Sequence, residues 1–293
     1  MKWYDKIAAF LHWEMEEAPG NYGWFHIMML AVIIALTVIF CVYGKNCTDK
    51  TFRRIILYYW IYNIISELYV ALIYSFELED GVGVWDYEWY MFPFQFCSSP
   101  AYTLPFIAFL KDGRVRDAFI SFTGTFSLFA GIAVMLYPND VFVKCLGIDI
   151  QTMIHHGMQV VLGVFVMVHE RRRLTHSFFF KGIPVFAGLV LIAMGLNIGV
   201  YHLFSELGMD DTFNMYFISP YFDCTLPILS LIYPLIPYPA FLVIYILGFS
   251  LIAALMYYVQ RAIILKVTGI APHILRGNYE RPLYHERLSG RRC

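Results

Sequence analysis

The sequence predicts an all-α protein of seven transmembrane helices, and three observations carry that reading. Hydrophobic residues make up 59% of 293, charged residues only 15%, and the mean hydropathy is +0.60, too apolar for a soluble domain of this size. Apolar runs long enough to cross a hydrocarbon core of roughly 30 Å recur along the chain. Lys and Arg fall in alternate connections, as retention of basic residues in the cytoplasm requires.

Residues 1–23 are expected as an outer interfacial segment. The start is too short and too charged for a cleaved signal sequence. Trp3, Ile7, Phe10, Leu11 and Met15 fit a short helix lying in the interface, with Glu14, Glu16 and Glu17 on its wet side. A transmembrane domain follows over 24–260, with spans expected at about 24–43, 55–76, 91–110, 118–137, 150–169, 180–204 and 239–260. Trp85, Trp89 and Tyr90 anchor the outer end of the third span, Tyr58 and Trp60 the inner end of the second, and Tyr257 and Tyr258 the last. Between the sixth and seventh spans, 213–238 is apolar but holds Pro220, Pro227, Pro234 and Pro237. It is therefore expected as a re-entrant piece or lid rather than a helix. Residues 261–293 form a basic tail.

Charge fixes the expected orientation. Lys45, Lys50, Arg53 and Arg54, then Lys111, Arg114 and Arg116, then Arg171, Arg172, Arg173 and Lys181 occupy the first, third and fifth connections. The tail adds Arg261, Lys266, Arg276, Arg281, Arg287, Arg291 and Arg292, so 18 of the 21 basic residues share one side. Lys2, Lys6 and Lys144 are left on the other. The N-terminus is expected outside and the tail in the cytoplasm. Cys41 and Cys97 lie in spans, and Cys47 and Cys293 on the reducing side, so only Cys145 and Cys224 are placed to pair. No Cys/His spacing marks a structural zinc, and no glycine-rich phosphate loop is present.

Counted from the outer ends at 1.5 Å per residue, Cys97, His156, Asn197 and Glu67 all lie about 9–14 Å deep. Ionisable groups in spans are disfavoured and face a protein interior or wet cavity, so one shared layer points to one cavity. Thr152, His156, Gln159 and Gly163 follow helical spacing, which makes His156 the inward histidine and His155 the second choice. Asn63, Ser66 and Glu67 align on the second span, where Glu67 is placed to hold a histidine. Pro93, Pro100 and Pro105 break the third span beside Cys97. Taken singly, each has a plain alternative: a packing cysteine, a bridging histidine, an Asn63–Glu67 helix contact. Gly124, Gly131, Gly188, Gly195 and Gly199 read as close-packing positions, with Gly195 and Gly199 as a GxxxG step. The Phe and Tyr residues read as lipid-facing bulk.

Pro93, Gln95 and Cys97, then His156 and Gly157, then Asn197 followed by Asn214, Met215, Tyr216, Phe217 and Pro220, resemble the motifs of YwaF-like bacterial membrane proteins related to transmembrane protein 164. The resemblance spans roughly 25–260. It implies a seven-span fold in a bacterial plasma membrane and an acyl-carrying cysteine. It also implies transfer of a fatty acyl chain from a phospholipid to a lysophospholipid without acyl-CoA. The family's cysteine motif commonly reads Pro-Leu-His-Leu-Cys; Gln95 stands here at the histidine position, so His156 is expected to be the base.

On that reading His156 activates Cys97, and Gln95 or Asn197 donates to the oxyanion while Glu67 orients a histidine. Asn63, Thr152, Gln159, His202, Asn214, Tyr216, Tyr221 and Asp223 are the expected substrate contacts. Phospholipids and lysophospholipids are the expected partners; no cofactor, metal, nucleic acid or protein partner is called for. Two rivals remain. One is a metal-dependent lipid hydrolase using His155, His156, His202 and Glu67, made awkward because adjacent helical residues point about 100° apart. The other is a small-solute transporter or receptor subunit, without any visible repeat.

The charge pattern makes a direct prediction. In a single-cysteine background, Asp80→Cys should react with a membrane-impermeant thiol reagent added outside, and a reporter fused after Cys293 should be cytoplasmic. Labelling of Asp80→Cys only from the cytoplasm would invert the topology.

Overall fold

A computed structural model describes residues 2–11, 13–139, 141–272 and 275. Among the described residues, six stretches are long and apolar enough to span a membrane. They are α2 (Trp24–Gly44), α3 (Asp49–Ser75), a composite of α5 (Arg114–Phe122), a π turn (Thr123–Ser127) and α6 (Leu128–Leu136), then α7 (Leu146–His169), α8 (His176–Leu207) and α10 (Tyr238–Thr268). Three short helices, α1 (Trp3–Leu11), α4 (Ser99–Phe109) and α9 (Leu229–Ile232), lie outside that set. The tail residues Arg276, Arg281, Arg287, Arg291, Arg292 and Cys293 fall outside the described residues.

The expected third span, 91–110, is the main departure. Its only α-helix is α4 (Ser99–Phe109), eleven residues long, about 16 Å at the helical rise and too short to cross. The rest is extended chain and two 3₁₀ turns, Trp89–Met91 and Phe96–Ser98. The segment nevertheless runs the whole length of α3. It starts beside Ser75, which accepts from Asp86 N and Glu88 N, and ends beside Arg53, whose Nη1 donates to the Ala108 and Leu110 carbonyls. The prolines explain the break. Pro100 sits in the first turn of α4, where a missing N–H costs nothing. Pro105 frees the Ala101 carbonyl, which accepts from Trp60 Nε1 at 2.8 Å.

A hairpin, β1 (Phe76–Glu79) and β2 (Val82–Trp85), adds a small sheet to a fold read as all helix. Its two-residue turn is Asp80–Gly81, both at positive φ, the short-hairpin signature. α1 docks on it through Asp5, which accepts from Gly83 N at 3.2 Å, and leaves Trp3, Ile7 and Phe10 exposed as an interfacial helix would.

α7 is the buried axis, packed against α2, α3 and α6. Glycine sets those approaches: a Cβ on Gly157 would meet Ile33 at 2.4 Å, on Gly163 Leu128 at 2.6 Å, and on Gly131 the His156 carbonyl at 2.7 Å. Gly188, Gly195 and Gly199, in contrast, have nothing within 4 Å, so the expected GxxxG step packs against no helix of this chain. Nor are the aromatics mere lipid-facing bulk. Phe52, Phe122, Phe126, Phe165, Phe186, Phe213 and Phe241 are fully buried in the core. Cys145 and Cys224 do not pair: both are free, Cys145 donating to the Leu11 carbonyl and Cys224 buried in a different apolar cluster.

The basic connections meet at one end, as their charge pattern requires. Arg116 is completely buried there, donating to the Ile107 carbonyl at 2.9 Å and pairing with Asp112 and, at 2.9 Å, Asp49. Arg53 also contacts both aspartates, and Arg173 joins Asp117 to Glu170. Arg116→Ala leaves Arg53 on both aspartates, but it takes the donor from the Ile107 carbonyl and empties the space of a fully buried side chain, which together should cost about 3 kcal/mol. Thermal unfolding in detergent measures it, and a change under 0.5 kcal/mol would contradict this account.

Candidate functional site

Cys97 lies in the 3₁₀ turn just before α4, a position created by the proline-broken crossing. Outside a regular helix its carbonyl needs a partner, and α7 supplies two. Gln159 Nε2 donates to the Cys97 oxygen at 2.7 Å and His155 Nε2 at 3.3 Å. This fixes the cysteine against the histidine pair. The Cys97 sulfur and one ring nitrogen each of His155 and His156 lie within 4.8 Å of one another. Cys97 is half-buried; both histidines are buried.

Hydrogen-bond partners assign the two rings different states. His156 Nδ1 faces the Thr152 carbonyl at 2.8 Å; a carbonyl only accepts, so Nδ1 carries the proton and Nε2 keeps a lone pair. His155 is the reverse. Its Nε2 donates to the Cys97 carbonyl, with Glu67 Oε1 3.7 Å away, while Nδ1 faces Ser66 Oγ at 3.4 Å. Ser66 accepts from Gln151 Nε2 at 2.8 Å, which leaves its own proton for His155. Glu67 therefore serves His155 and not His156. His155 is committed on both nitrogens, and His156 has the nitrogen free to take a proton.

The π turn in the neighbouring span brings Ser127 Oγ to 3.5 Å from Gln159 Nε2. A π turn inside a helix often marks a functional position. Ser66, Gln151 and Ser127 were not among the expected site residues. The alternation of Thr123, Thr125 and Ser127 in an apolar span was the available signal.

Gln95 and Asn197, expected to face an oxyanion, do something else. Gln95 Oε1 accepts from Tyr216 N at 2.9 Å and its Nε2 donates to the Asn214 carbonyl at 3.1 Å. Asn197 clasps Met215 in the same two-handed way, at 2.7 and 3.0 Å. Together they hold a loop in which Tyr216 and Phe217 both take positive φ, 60° and 56°. Such conformations cost bulky residues about 1–3 kcal/mol each, and the four amide bonds offset that strain. Asn214 is spent within the loop, on Ser219 N and the Asp223 carbonyl. The loop seats the Tyr216 ring against Phe94 and Phe96, roofing the cysteine turn.

The remaining expected contacts divide. Tyr221 and His202 are hydrogen-bonded to each other at 3.2 Å, with Tyr221 stacked on Tyr201; Asp223 is exposed. None of these contacts reaches the thiol. Asn63 is fully buried and neither its Oδ1 nor its Nδ2 has a hydrogen-bond partner. The Tyr59, Tyr216 and Ser99 hydroxyls and Gln159 Oε1 share that condition. Buried polar atoms are ordinarily satisfied, so these orphans on α3, α4, α7 and the roof loop are open to a ligand or water.

Below this layer, toward the basic end, a crevice of about 210 Å³ opens between α2, α3 and α7, lined by Phe40, Ile55, Tyr58, Tyr59, Tyr62, Met158, Val161 and Leu162. Every lining residue is aliphatic or aromatic.

The family model of the TMEM164 family matches residues 21–260. No curated protein and no solved structure matches the chain.

Because each amide of the roof is doubly bonded, Asn197→Ala should strand the Met215 N–H, leave its C=O with the Ile218 N–H alone, and cost about 1–3 kcal/mol. Limited proteolysis should then cut within 213–224 before the helices. Unchanged protection of that loop would show that the clasp does not hold it.

Proposed function

Since the chain belongs to the TMEM164 family of membrane proteins, we propose that it is a phospholipid acyltransferase working through an acyl-Cys97 intermediate, without acyl-CoA. The observation that supports this most is the meeting of a half-buried thiol with an imidazole whose Nε2 is free. A nucleophile beside its base is the minimum for covalent acyl transfer.

His156 Nε2 takes the Cys97 proton, and the thiolate attacks the ester carbonyl of a phospholipid. The tetrahedral intermediate collapses to the thioester as the lysophospholipid oxygen leaves with the proton from His156. A second lysophospholipid hydroxyl then gives its proton to Nε2 and attacks the thioester, and Cys97 leaves as thiolate and is reprotonated. His155 and Gln159 act through the Cys97 carbonyl and hold the turn in place. With Gln95 and Asn197 occupied, Asn63 takes the oxyanion role, since its buried amide is unspent. The first turn of α4 adds the positive end of its dipole beside the sulfur.

The crevice supports a lipid substrate and its direction of entry. It begins at Tyr59, Tyr62 and Met158 beside the reacting layer and continues toward the basic end. An acyl chain lying there puts its ester at Cys97 and its headgroup toward the acidic end. With the basic end cytoplasmic, donor and acceptor enter from the outer leaflet of the plasma membrane.

Purified protein incubated with diacyl phospholipid should carry a hydroxylamine-labile acyl mass on Cys97. Cys97→Ala and His156→Ala should each lower transfer on the order of 10³-fold, and the double variant should be little worse, because members of one catalytic unit are not additive. In oriented proteoliposomes, labelled lysophospholipid should be consumed from the outer leaflet. Full activity in Cys97→Ala, or an absolute need for acyl-CoA, would end this reading.

A further inference from the structure

We propose that Cys97, His155, His156 and Glu67 form a zinc-binding site, and that zinc bound there switches acyl transfer off. The binding half stands on geometry alone; the switching half rests on the proposed role of Cys97.

Adjacent histidines on a helix diverge by about 100°, an argument against their sharing one ion. The side chains overcome it. The two rings turn edge to face, 5.0 Å apart at 72°, and one nitrogen of each lies within 4.8 Å of the other and of the thiol sulfur. Donor atoms around a tetrahedral zinc stand roughly 3.4–3.6 Å apart, given Zn–S and Zn–N bonds of about 2.3 and 2.0–2.1 Å. A contraction of at most roughly 1.4 Å therefore closes the set, well within the swing of a cysteine side chain in a turn. The fourth donor is at hand. Glu67 Oε1 lies 3.7 Å from His155 Nε2 and is buried without a hydrogen-bond partner.

Charge favours the same ion. Thiolate and carboxylate together cancel a divalent cation, so the complex is neutral, and a neutral complex is the form an apolar interior tolerates. Thiolate and imidazole donors select zinc over magnesium or calcium. Binding proceeds with a defined loss of protons. Cys97 gives up its thiol proton to solvent, while His155 moves its proton from Nε2 to Nδ1, where Ser66 Oγ can accept it. His156 ligates through the Nε2 that its Thr152 contact leaves bare. Zinc then holds the two lone pairs that acyl transfer needs, on Sγ and on His156 Nε2.

The test uses full-length protein, stripped of metal and equilibrated with buffered free zinc, with bound zinc and acyl transfer measured side by side. One zinc per chain should bind at Cys97, with at least tenfold weaker binding in Cys97→Ser and in His155→Ala and none of that loss in Cys47→Ser. Cobalt in place of zinc should give a thiolate-to-metal charge-transfer band in the unmodified protein, a readout that needs no variant to fold. At saturating zinc, transfer should fall at least tenfold and return on chelation. A cobalt spectrum without the thiolate band, or full zinc occupancy in Cys97→Ser, overturns the site. Transfer that rises with zinc overturns the switch in favour of a metal-activated reaction. Zinc bound at Cys97 in a metal-free-inactive protein would sink the acyltransferase reading and leave the site standing.

Discussion

A backbone carbonyl inside the apolar layer must find a donor, and the Cys97 carbonyl is where that constraint shapes this protein. The chain runs beside α3 partly as extended strand and 3₁₀ turn, so its peptide groups lack the internal partners of a helix. Gln159 and His155, one turn apart on α7, close the gap. The bond that satisfies the backbone is also the bond that sets the thiol beside two imidazoles. Structural need and reactive geometry are met by the same pair of side chains.

The surrounding elements serve that contact at different distances. Glycines at 131, 157 and 163 let α7 lie close to its neighbours, with the His156 carbonyl itself 2.7 Å from where a Cβ on Gly131 would stand. The roof loop is held in strained conformations by Gln95 and Asn197, which brings Tyr216 over the cysteine turn. At the basic end, Arg116 and Arg53 tie the ends of α3 and α4 together, and so keep the broken crossing from sliding along α3. α3 and α7 contribute both to the layer that holds Cys97 and to the apolar crevice below it.

Much of the site was legible one residue at a time. Depth counting placed Cys97 and His156 in one layer, and helical spacing put Gln159 with the histidines, because rise and period are fixed by the backbone. The assignments that failed were of amide partners. Gln95 and Asn197 were read as substrate donors, but a side-chain amide bonds whatever peptide stands opposite, and the opposing peptide belongs to a loop more than a hundred residues from Gln95. His202 and Tyr221, expected as substrate contacts, pair with each other instead.

The sequence by itself determined that the chain lives in a membrane, which connections share an end, that 213–238 is not one long helix and which polar residues share a depth. Those follow from hydropathy, charge and backbone geometry, all local properties. Only the tertiary structure decided that Glu67 meets His155 rather than His156, that segment 91–110 keeps a helix in one half alone, and that His156 rather than His155 keeps a free nitrogen. Those depend on rotation of one helix about its axis against another, a quantity set by the packing of glycines and large side chains across the interface rather than by the pattern along either strand of sequence.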